Sequence, residues 1–92
     1  MIRAALVLAL LAVPAAAQTA PGVAEGCVTC HGPRGAGSGS VPPLAGRDAA
    51  DLATAMAAFR ANERPATIMN RIVRGYTEAE VAAAVTYFSG LR

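Results

Sequence analysis

This 92-residue chain has two cysteines and one histidine, and all three fall within five positions, Cys27-Val28-Thr29-Cys30-His31. Thiols three positions apart stand on the same face of a helix. Each can bond one vinyl group of a single porphyrin. A histidine directly after the second thiol then lies beneath the iron and can supply its proximal nitrogen. The spacing C-x-x-C-H is the attachment signature of haem c. The motif occurs once, which implies one covalently attached haem per chain.

Three other uses of these residues fit less well. A structural zinc site needs four ligands, and Cys27, Cys30 and His31 supply three. A thioredoxin-like redox pair belongs to a βαβ setting, which the pattern of this chain lacks. A plain disulfide would leave His31 with no role.

The N-terminus agrees with haem attachment, which takes place outside the cytoplasm. Residues 1–17 carry one charge, Arg3, followed by an apolar run from Ala4 to Val13, then Pro14 and Ala15-Ala16-Ala17. A basic start, an apolar stretch and an A-x-A end describe a secretory signal peptide. The run is too short for a spanning helix, which needs about 20 apolar residues. The expected organisation is a cleaved signal over 1–17 and one domain over 18–92, exported to the periplasm, with no membrane span after cleavage.

That domain has little to bury. Beyond residue 17 it offers 17 side chains of Leu, Ile, Val, Met, Phe or Tyr, against 16 alanines. Domains this small lean on a disulfide, a metal or a partner to stay folded. A large enzyme with its own deep core is excluded. A formal net charge of +2, no lysine, no basic run and no tryptophan give nucleic-acid binding no support.

The remaining pattern is helical. Pro21–His31 reads as a first helix carrying the cysteines. Residues 32–46 are broken by five glycines and three prolines and read as a loop. Asp48 is a candidate N-cap. After it, Leu52, Ala55, Met56 and Phe59 follow at helical spacing, fading near Asn62 ahead of Pro65. A shorter segment from Thr67 carries Ile68, Met69, Ile72 and Val73 and stops at Gly75. Thr77-Glu78-Ala79-Glu80 fits a capping box, and Val81, Ala84, Val85 and Phe88 continue on one face to Gly90. No stretch alternates as a strand does. The expected fold is all-α, with three to four helices around one haem.

Two methionines remain to complete the iron's coordination. A filled coordination shell moves little between oxidation states, which suits electron transfer, and a thioether ligand raises the potential. Met56 sits mid-helix on the Leu52/Phe59 face, where methionine usually fills core. Met69 sits in a short, adjustable segment and is the favoured distal ligand. Leu44, Leu52, Phe59, Ile68 and Ile72 are expected to form the apolar shell. Arg60, Arg64, Arg71 and Arg74 form either a solvated face or a contact surface for a partner.

Taken together, the order of motifs resembles a class I c-type cytochrome over essentially all of 18–92. Val41-Pro42-Pro43-Leu44-Ala45-Gly46 and the Met69…Tyr87-Phe88 tail are similar to the cytochrome c4 type. The stretch Thr67-Ile68-Met69-Asn70-Arg71-Ile72-Val73-Arg74-Gly75-Tyr76-Thr77 resembles the haem subunit of flavocytochrome c sulfide dehydrogenase, with Asn70 departing from a small residue. That subunit commonly carries two such domains, and this chain has one.

The resemblance implies thioether bonds from Cys27 and Cys30, His31 as proximal ligand and Met69 as distal ligand. It implies the carbonyl of Pro43 as acceptor from the second ring nitrogen of His31, and Tyr87 or Phe88 packing the last helix on the first near Val23 and Gly26. It also implies periplasmic electron transfer without catalysis, with a redox protein such as a flavoprotein dehydrogenase as partner. The alternative is a five-coordinate haem c enzyme or sensor that reduces peroxide or binds a gas. No second histidine is present to serve as its acid–base group.

Overall fold

Three of the four helices among the described residues begin where the sequence supplies a device to start them. In the computed structural model, which describes residues 20–91, Pro21 precedes helix α1 (Gly22–His31). The fixed φ of proline suits the entry to a first turn. Asp48 opens α2 (Ala49–Arg60), its carboxylate accepting from Ala50 N at 2.8 Å and from Asp51 N at 3.3 Å. A short α3 (Met69–Ile72) runs into a 3₁₀ turn, Val73–Gly75. Thr77 opens α4 (Glu78–Ser89) with a complete capping box. Glu80 N donates to Thr77 Oγ1 at 3.1 Å and Thr77 N donates to Glu80 Oε1 at 2.9 Å. The signal peptide expected over 1–17 lies outside the described residues.

The end of α2 is equally specific. Glu63 N donates to Ala58 O at 2.9 Å and Asn62 N to Phe59 O at 3.1 Å. This paired 6→1 and 5→2 pattern is a Schellman ending, which needs one residue in the left-handed region. Asn62 takes it, at φ 58°. Asparagine tolerates that region better than other non-glycine residues.

Helix α4 packs across both α1 and α2. Ala24, Leu52, Ala84 and Phe88 form the buried cluster where the three meet, with Val23, Cys27, Val28, Leu44 and Leu91 around it. Three of the six buried apolar residues among those described are alanines. A core this thin removes little apolar surface from water, so the folded chain is marginal by itself.

The glycine-rich stretch folds back on this cluster. It contains a 3₁₀ turn, Pro33–Gly35, and one isolated antiparallel bridge between Ser38 and Val41. No strand forms among the described residues, as the sequence pattern predicts. Gly35 has φ 69°, and a Cβ there would stand 2.7 Å from the Phe88 ring. Only glycine meets both demands. The Gly35 carbonyl accepts from Leu44 N at 2.7 Å and Ala45 N at 3.0 Å, closing the loop.

Candidate functional site

The attachment motif occupies the last turn of α1. Cys27 is half-buried, Cys30 is exposed, and both thiols are free. The Cys27 thiol donates to Val23 O at 3.4 Å, and burial pushes its pKa up. His31 is the one buried polar residue among those described.

Its orientation is fixed from behind. His31 Nδ1 lies 2.7 Å from the carbonyl oxygen of Pro42. A carbonyl can only accept, so Nδ1 carries the hydrogen and Nε2 holds the lone pair in the neutral ring. That tautomer can ligate a metal through Nε2, and a carbonyl bonded to the opposite nitrogen makes the imidazole a better donor.

The acceptor is therefore Pro42 and not Pro43, the residue that the family resemblance implies. Two consecutive prolines progress about a third of a turn per residue, so their carbonyls point in different directions. Gly37 settles which one faces His31. Its N–H donates to His31 O at 2.6 Å, and a Cβ on Gly37 would stand 3.2 Å from Pro43 N. Pro43 is thus drawn against Gly37, and the next residue, Leu44, turns toward Gly35. Pro42, held extended because a proline follows it, presents its oxygen to the ring.

The two methionines have different surroundings. Met56 is half-buried beside a groove between α2 and α4 lined by Ala53, Ala57, Val73, Val81 and Val85. Neither His31 nor the cysteines line it. Met69 is half-buried as the first residue of α3, directly after Ile68. The expected apolar shell is only partly packed by protein. Leu52 is buried, Leu44, Phe59 and Ile72 are half-buried, and Ile68 is 53 % exposed, the one large apolar side chain so exposed among the described residues.

These observations fit a haem. The donor set is two free thiols and an imidazole whose neutral form carries its lone pair on Nε2. Beside Met69, Ile68 presents apolar surface that the chain itself does not cover. A flat apolar macrocycle would cover such surface and enlarge a thin core.

Two packing details depart from the sequence reading. Phe88 does pack α4 against α1, beside Ala24 and Val23. Gly26, however, faces Tyr76, a residue to which the sequence pattern assigned no role. Two of the four arginines expected on a solvated or contact face are engaged with backbone. Arg60 Nη2 donates to Tyr76 O at 2.9 Å, and Arg74 Nη2 to Arg60 O at 3.4 Å. Arg64 stacks over Phe59 at 5.1 Å from the ring centroid, a cation–π contact.

The family model for cytochrome c matches residues 17–92. The chain belongs to the cytochrome c family, and the cofactor of that family is covalently bound haem c. Its fold is the small all-α fold of class I. Among similar proteins, the thiosulfate dehydrogenase electron acceptor of Stutzerimonas stutzeri is 42 % identical over 69 residues, covering 71 % of this chain and 32 % of its own. The cytochrome subunit of sulfide dehydrogenase of Chlorobaculum tepidum is 34 % identical over 65 residues, covering 71 % of this chain and 59 % of its own. Cytochrome c-552 of Acidithiobacillus ferridurans is 34 % identical over 65 residues, with 28 % of its own length covered. The chain thus spans between a quarter and three fifths of the length of these relatives.

Proposed function

We propose that this chain is a periplasmic electron-transfer domain and not an enzyme. In it, thioether bonds from Cys27 and Cys30 hold one haem c, with His31 and Met69 as its axial ligands. The observation that carries the reading is the His31–Pro42 bond, which fixes a ligating tautomer one residue past the second thiol. When bound, the haem supplies a one-electron ferric/ferrous couple.

The chain's own residues do the rest. Pro42 orients the His31 ring and strengthens Nε2 as a donor. Leu52 and Phe88 belong to the buried cluster against which Cys27 packs, and Ile68 and Ile72 flank Met69. Met56 is committed to the α2/α4 groove, which supports Met69 as the sulfur ligand. Cys30 lies at the surface, so this end of α1 is where a redox partner approaches.

That partner is a dehydrogenase of reduced sulfur compounds. The names of the relatives, an electron acceptor of thiosulfate dehydrogenase and a subunit of sulfide dehydrogenase, support this class. A flavoprotein that oxidises sulfide is the specific candidate. Export follows from the signal read over 1–17. Among the described residues no helix is long and apolar enough to cross a membrane.

The visible spectrum of the ferric holoprotein tests the ligand set. The account expects a sulfur-to-iron charge-transfer band that Met69→Ala abolishes and Met56→Ala retains. High-spin iron in the unsubstituted protein would contradict it and favour a five-coordinate enzyme or sensor.

A further inference from the structure

We propose that Arg60 and Tyr76 are positioning residues for Met69, joined with Gly26 in a brace that ties the methionine segment to the cysteine-bearing helix. This rests on the reading of Met69 as the distal ligand.

Little else holds the helix that carries Met69. Met69 lies in a helix of four residues, Met69–Ile72, none of them buried. So short a helix is not stable by itself. Its neighbours Ala66, Thr67 and Ile68 are exposed. What fixes the segment must act at its two ends.

At the start, the Schellman ending of α2 fixes Asn62, and Asn62 Oδ1 accepts from Asn70 Nδ2 at 3.4 Å. That bond is long, and Asn70 Oδ1 is buried with no partner. This end is weakly held.

At the far end Tyr76 is fixed on every side. Its N–H donates to Val73 O at 3.2 Å, closing the 3₁₀ turn. Its carbonyl accepts from the Arg60 guanidinium at 2.9 Å, and Arg74 returns from the 3₁₀ turn to Arg60 O. The capping box of α4 starts at the next residue. The Tyr76 side chain then reaches α1. A Cβ on Gly26 would collide with the Tyr76 hydroxyl and stand 3.6 Å from Cζ. Gly26 immediately precedes Cys27. A glycine inside a helix with no turn to make marks a close approach, and here the approaching group is Tyr76. A continuous chain of contacts therefore runs from Cys27 through Gly26 and Tyr76 to Arg60 and Arg74 at the far end of the methionine segment.

Such a brace governs how often Met69 leaves the iron. Exogenous imidazole binds only when the sulfur has left, so its apparent affinity reports the open population. Loss of a charge-assisted hydrogen bond such as that of Arg60 is large enough to raise that population about tenfold.

The test is an imidazole titration of ferric holoprotein, made in a host that matures haem c and followed at the sulfur-to-iron band. Arg60→Leu and Gly26→Ala should each bind imidazole about tenfold more tightly than the unsubstituted protein. The Gly26→Ala/Tyr76→Phe double variant should return to within about twofold, because without the hydroxyl the nearest Tyr76 atom is in ordinary contact. A purely structural effect of Gly26→Ala has the opposite sign, since alanine strengthens a helix. Unchanged affinity in Gly26→Ala and Arg60→Leu, with the band present, would overturn the brace and leave Met69 as ligand. A band that is absent, or that survives Met69→Ala, would overturn the ligand reading and the brace together.

Discussion

His31 Nδ1 and the carbonyl oxygen of Pro42 stand 2.7 Å apart, and this bond does more than any other single contact to define the site. It selects the tautomer, aims the ring and makes it more electron-donating. A more donating imidazole favours ferric iron over ferrous iron. The acceptor is backbone, so no side-chain change at 42 removes it. The bond is instead loosened through Pro43, which holds residue 42 extended. Pro43→Ala should raise the reduction potential by roughly 30 mV, half the change that corresponds to a tenfold shift in a one-electron couple. A redox titration checks this; an unchanged or lowered potential would contradict it.

Gly35 combines a left-handed backbone with contact against Phe88. Alanine there adds backbone strain and forces the Phe88 ring to move. Gly35→Ala should destabilise the holoprotein by about 2–3 kcal/mol. Urea unfolding followed by far-ultraviolet circular dichroism measures it. A loss below about 0.5 kcal/mol, the range of ordinary surface changes, would show that the loop relaxes freely.

The two side-chain caps should behave independently. Asp48 and Thr77 start different helices and share no hydrogen-bond partner. Asp48→Ala and Thr77→Ala should each cost about 1 kcal/mol. The double variant should show the sum to within about 0.5 kcal/mol. The same urea titrations decide this.

Haem removal should unfold the domain. Among the described residues the buried apolar ones are Ala24, Leu52, Ala55, Val73, Ala84 and Phe88, too few to offset the entropy of ordering the chain. The apo-chain made without haem attachment should show little helical circular dichroism and no cooperative thermal transition. A stable, helical apo-protein would refute the claim.

Much of this was readable because the responsible signals are local. The Thr77…Glu80 box, the Asp48 cap and the 3.6-residue spacing of Leu52, Ala55 and Phe59 act within a turn or two of themselves, and the helices start as those residues dictate. The attachment motif is five residues long and self-contained. What escaped depends on contacts between distant residues. Pro42 and Pro43 are equivalent until Gly37 fixes where the loop crosses His31. Tyr76 lies between two segments, and its neighbour Gly26 is fifty positions away. The available signal was Gly26 itself, a helical glycine beside a cysteine. Asn62 marks the end of α2 in the sequence as in the structure, but the left-handed Schellman geometry that makes it an anchor needs the carbonyls of Ala58 and Phe59 in place.

The central claim is that both cysteines of this chain carry one porphyrin. Its most direct test is the intact mass of the protein, purified from a host able to mature such cofactors and denatured before measurement. The account predicts the mass of the chain from Gln18 onward plus one haem, reduced to the chain alone in the Cys27→Ala/Cys30→Ala variant. A colourless protein with the mass of the bare polypeptide would contradict it.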